Sequence, residues 1–104
     1  MPKLYSPTRQ VLTDDQAVAF ARVLRALANP VRLRIVGMLA AQGQARQAEL
    51  QGPLHLTQPT LSHHFHRLVE VGLVERVRVG RQVWFRLVPE AVDQVGDLLM
   101  GGPR

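Results

Sequence analysis

After Gly72 the apolar residues of this chain change period. Before it they recur every three or four positions, as on helix faces. Beyond it Val74, Val77 and Val79, then Val83, Phe85 and Leu87, are interleaved with Glu75, Arg76, Arg78 and Arg86. That is a strand pattern. Gly80-Arg81 supplies a two-residue turn and Pro89 a stop, so the segment reads as a hairpin. With 104 residues there is room for one core, which the hairpin and the helices must share.

The helices can be placed by their ends. Residues 1–12 hold Pro2 and Pro7 without periodicity and read as a flexible arm. Thr13 and Gln16 have capping-box spacing, with Asp14 and Asp15 in the first turn. The helix that follows carries Ala17, Phe20, Ala21, Leu24, Leu27 and Ala28 on one stripe, while Val18 and Val23 fall off it, so it is apolar on more than one side. Asn29-Pro30 caps a second helix with Val31, Ile35, Met38 and Leu39 inward, ending near Ala41. A short third helix is expected from Ala45 to Gln51, stopped by Gly52-Pro53, with Leu54-His55-Leu56 as a tight connection. Thr57 caps a fourth helix, and Gly72 is its left-handed stop. A last helix, Glu90 to Met100, puts Val92, Val95, Leu98 and Leu99 on one side, and residues 101–104 fray.

The fold class is therefore mainly α (α+β), in the order α-α-α-α-β-β-α: a winged helix-turn-helix domain over residues 13–100. Charge is distributed to match. Twelve of the thirteen cations are Arg, whose forked donors suit phosphates and guanine edges. Residues 60–88 carry a net +3 and residues 89–104 a net −2, so an anionic polymer would meet the first stretch; the plainer alternative is a solvated basic face.

On the fourth helix Leu61, Phe65 and Leu68 share the core side. Thr60, His63, His66 and Arg67 point away with Glu70, and Ser62 lies on a flank. Hydroxyl, imidazole and guanidinium groups on one face can read a major groove, while the free N–H groups near Thr57 and Gln58 suit a phosphate. Arg76, Arg78, Arg81 and Gln82 in the hairpin are expected on flanking phosphates or the minor groove. His64, beside the core, reads as a partly buried imidazole, and Trp84 as packed against a neighbouring helix. One Trp and one Tyr are too few for stacking along a single strand, so duplex DNA is the expected partner.

Without cysteine there is no disulfide frame, thiolate site or cysteine nucleophile. The apolar runs are too short to span a bilayer, and the start MPKLYSPTRQ lacks a secretion signal's apolar core, so a soluble cytoplasmic protein is expected, with no membrane partner.

Four blocks carry a family resemblance: ALANPVRLRI (residues 26–35), LTQPTLSHHF (56–65), LVEVGLV (68–74) and GRQVWFRL (80–87). In this order they resemble the ArsR/SmtB family of winged-helix repressors. The resemblance implies a homodimer joined through the first and last helices, with Phe20, Leu24, Val92, Val95, Leu98 and Leu99 at the interface. It also implies binding to a palindromic operator that blocks transcription. Departures bear on the effector. Where many members place a Cys-x-Cys metal pair, this chain has Arg46 and Ala48. The last helix offers Asp93 and Asp97 without a histidine, and a site on His63 and His66 would compete with DNA. No metal or cofactor is expected; an effector, as a small ligand or partner protein, is left open. His55 stands where a glycine is common, a turn position that histidine tolerates. Two other functions compete. A protein-interaction module would expose aromatic or aliphatic anchors on the fourth helix, and a histidine-based metallohydrolase would need a nearby carboxylate pair.

Overall fold

Thr13 opens the first helix as the spacing predicts. Its hydroxyl accepts from the Gln16 N–H at 3.1 Å, and its own N–H donates to Gln16 Oε1 at 2.9 Å. The computed structural model describes residues 12–100. The arm expected over 1–12, but for Leu12, and the tail over 101–104 lie outside the described residues. The elements are α1 (Asp14–Leu27), α2 (Pro30–Gln42), α3 (Gln47–Leu54), α4 (Gln58–Glu70), β1 (Val74–Val79), β2 (Gln82–Leu87) and α5 (Pro89–Met100). This is the order read from the sequence.

Asn29 caps α2 by accepting from the Val31 and Arg32 amides at 2.9 and 3.1 Å. Ile35 and Leu39 of α2, Leu50 of α3, and Leu61, Phe65 and Leu68 of α4 are fully buried, with Leu73, Val74 and Phe85 closing the core. β1 and β2 pair antiparallel, Val74 opposite Leu87 and Val79 opposite Gln82, around Gly80 at φ +62°.

Phe85 ties the hairpin down. Its backbone exchanges two hydrogen bonds with Ala45, at 2.8 and 3.0 Å, and its ring stacks on Phe65 at 4.1 Å between centroids. Ala45 is thus a fragment of strand, not the first residue of a helix. α3 is displaced towards the C-terminus: it begins at Gln47 and runs through Gly52-Pro53 to Leu54. Proline normally ends a helix because it lacks an N–H and crowds the preceding turn. Here it occupies the last turn, and Leu54 joins Leu50 in the core one turn on. The end is closed by His55 at φ 54°, whose N–H reaches the Gly52 carbonyl, while the Leu56 N–H reaches that of Gln51. That hydrogen-bond pair is a Schellman closure, made on histidine in place of glycine.

The inward face of α1 differs from the stripe read in the sequence. On α1 the buried residues are Phe20, Val23 and Ala26, and Leu24 is exposed. On α5 the body side is Ala91 and Gln94, leaving Val92 and Leu99 exposed and Val95 and Leu98 half-buried. Among the described residues no helix is long and apolar enough to cross a membrane.

Candidate nucleic-acid interface

With Leu61, Phe65 and Leu68 fully inside, 3.6 residues per turn leave α4 only one outward side. Thr60, His63, His66 and Arg67 are all exposed there, as are Thr57 and Gln58 at the helix start. Thr57 is the N-cap by position, yet its hydroxyl donates to Thr60 Oγ1 at 3.1 Å and caps no amide. The first-turn N–H groups of α4 therefore carry no side-chain cap, and these are the groups that suit an anion.

Ser62 is half-buried. Its hydroxyl oxygen accepts from Gln47 Nε2 at 2.7 Å and from Gln58 Nε2 at 3.0 Å, leaving only its proton for another partner. Gln47 also donates to the Gln58 carbonyl at 3.1 Å, so it clamps the entry of α4 to the start of α3. These contacts cross eleven and fifteen residues, beyond the reach of any periodicity, and Gln47 had no signal in the sequence.

The hairpin brings its cations to the same side. Register places Arg76 opposite Phe85 and Arg78 opposite Val83, on the face that carries the buried Val74. Arg76 lies over the Phe85 ring and shares a cleft of about 270 Å³ with His66, Ser62 and Gln47, between α4 and the hairpin. Arg78, Arg81 and Gln82 are exposed at the tip, Arg78 donating to the Gly80 carbonyl at 3.4 Å. Arg86 faces the other way and is paired with Glu75 across the strands. Trp84, on that outer face, has the Arg46 guanidinium 5.3 Å from its ring centroid, at the entry to α3.

Glu70 lies one turn beyond His66 and takes Arg67 in an ion pair at 3.2 Å. His64, on the flank nearest the core, sits 3.3 Å from Arg32 Nη1 through Nδ1. Guanidinium can only donate, so Nδ1 accepts and the imidazole is neutral. Burial, then Arg32, then His63 hold its pKa below the usual value near 6.5. The neutral ring is favoured by folding, so the unfolded chain takes up the proton first as pH falls. Stability is then expected to drop as pH falls below about 6.5. Urea unfolding at pH 7 and pH 5 checks this: His64→Gln should shrink the difference between the two, and an equal difference in the variant contradicts it.

Of the expected interface residues between subunits, Phe20 is only 2% exposed within the single chain, whereas Leu24 is 41% and Leu99 72% exposed. Among the described residues no three of His, Cys, Asp or Glu stand close enough to share a metal ion.

Comparison with known proteins agrees with this geometry. Residues 27–77 match a helix-turn-helix domain family. A biofilm growth-associated repressor of Xylella fastidiosa is 34% identical over 86 residues, 83% of this chain and 75% of that protein. The transcriptional repressor SmtB of Mycobacterium tuberculosis is 41% identical over 81 residues, 78% of this chain and 56% of that one. The chain spans less than two thirds of the length of several such relatives. Among solved structures, the homodimeric winged helix-turn-helix DNA-binding domain of a possible ArsR-family regulator from Mycobacterium bovis is 31% identical. It superposes with a TM-score of 0.69, over 88% of this chain and 86% of that one.

Proposed function

Because the chain belongs to the ArsR/SmtB family of winged-helix transcriptional regulators, we propose that it is a homodimeric repressor binding a palindromic operator in duplex DNA. One observation carries the reading: the outward side of α4 presents Thr60, His63, His66 and Arg67, with the hairpin cations Arg76, Arg78 and Arg81 beside it. In this reading α4 enters the major groove, the first-turn amides near Thr57 and Gln58 take a phosphate, and the hairpin with Gln82 straddles the flanking backbone. Ser62 and Gln58 serve first to hold α4, through Gln47.

Leu24 on α1 and Val92, Val95, Leu98 and Leu99 on α5 form the proposed subunit contact. An isologous pairing would cover the apolar surface that a single chain leaves open, and the mycobacterial neighbour is homodimeric. Phe20 would support that contact from behind. The protein acts by occupancy in the cytoplasm, with no catalytic step, and its release is left to a small ligand or a partner protein.

The test is fluorescence polarisation of a labelled duplex taken from upstream of its own gene, against random duplex, over a salt series. Binding should be salt-steep and selective. His63→Ala should cut the operator preference by about 5- to 150-fold, the worth of one base contact. Equal affinity of the wild type for both duplexes would sink the reading.

A further inference from the structure

Three arginines outside this interface meet one inside it at a single recess. Arg22 and Arg25 on α1, Arg32 in the first turn of α2 and Arg67 in the last turn of α4 converge on a recess of about 170 Å³. Glu70 is the one carboxylate lining it among the described residues. Two of the four cations are held: Arg32 donates to the Ala26 carbonyl and meets His64, and Arg67 is paired with Glu70. Arg22 and Arg25 have no hydrogen-bond or ion-pair partner among the described residues.

Helix ends account for part of this. Arg25 and Arg67 lie in last turns, where carbonyl ends favour a cation. Arg22 is a turn too early for that explanation. Arg32 stands where the positive end of α2 disfavours a cation, in a first turn that holds no acid. Four guanidinium groups around one carboxylate repel one another unless an anion sits among them, and their forks match the oxygens of a phosphate.

We propose that this recess binds a phosphate-class oxyanion between Arg22, Arg25 and Arg32, with Arg67 turning from Glu70 to join them. The oxyanion is either a backbone phosphate of the duplex or the phosphate of a free small molecule. Arg67 also lies on the outward side of α4, so occupancy would be felt at the DNA. That consequence rests on the function proposed above; the site itself does not.

The DNA-free protein is titrated with inorganic phosphate by calorimetry, ionic strength being held constant with chloride. Saturable uptake of one phosphate per chain is expected. Arg22→Gln/Arg25→Gln should weaken it at least tenfold, and Glu70→Gln should tighten it several-fold. The substituted residues are exposed, and a thermal melt checks that the variants fold. Duplex binding then separates the two sources. If the phosphate is the duplex's own, the double variant loses about 0.9 per bound subunit from the slope of log affinity against log salt, one contact's worth. If it belongs to a free molecule, that slope is unchanged, and added phosphate shifts duplex affinity in the wild type but not in the double variant. Absence of saturable uptake, or equal uptake by the double variant, overturns the site whatever the duplex measurements give.

Discussion

Replacing Arg76, Arg78 and Arg81 together by alanine is expected to lower duplex affinity by roughly 10²–10³-fold per bound subunit near 0.1 M salt, and to do so equally on operator and random DNA. Each phosphate contact contributes about 0.9 to the salt slope, which at 0.1 M is a factor of about 8 in affinity. Three contacts give, for each subunit bound, a slope change of about 2.7 and a loss of about 500-fold. None of the three cations has a carboxylate partner among the described residues, so none must leave an ion pair to meet a phosphate. Arg86 is the control. It is paired with Glu75 on the opposite face of the hairpin, and Arg86→Ala should leave the slope where it was. The substitutions lie on exposed positions, where changes in stability are usually within about 0.5 kcal/mol, so a thermal melt separates lost binding from lost folding. A triple variant with the wild-type salt slope would remove the hairpin from the interface.

Much of this arrangement was legible because it is local. The Thr13–Gln16 box, the Asn29-Pro30 start and the two faces of α4 each depend on residues within one or two turns, and the structure places them as their spacing predicts. The turn at Gly80-Arg81 belongs to the same class. What was not legible is contact between distant segments. Ala45 reads as a helix start until Phe85 supplies its strand partner forty residues on. Pro53 reads as a stop until the burial of Leu54 outweighs it. The ties of Gln47 to Gln58 and Ser62, and of Arg32 to His64, join segments whose spacing carries no period, and the arginine recess draws on three helices. The face of α5 is a different case: its apolar side points away from its own chain, so a pattern that marks burial does not say against what.

Phe65→Ala should unfold much of this molecule, and for a reason particular to the winged arrangement. Phe65 is fully buried on α4, and its ring stacks on Phe85 at an interplanar angle of 25°. Phe85 in turn holds Ala45 by its backbone, so a single ring links the outward-facing helix, the hairpin and the entry to α3. Truncating a buried phenylalanine costs about 3–5 kcal/mol, and an aromatic pair adds about 0.5–1.5 kcal/mol beyond buried area. Against a total of roughly 5–15 kcal/mol for a native domain, that is most of the margin. The melting temperature should fall by about 12 °C or more, at 4–8 °C per kcal/mol, measured at one fixed chain concentration because subunit pairing would make it concentration-dependent. Phe65→Leu keeps most of the volume and should cost far less. The double variant Phe65→Ala/Phe85→Ala should be less destabilised than the sum of its parts, because the second truncation removes a contact already gone. Strict additivity would mean that the two rings do not support each other, and that the hairpin is held to α4 by something other than this stack.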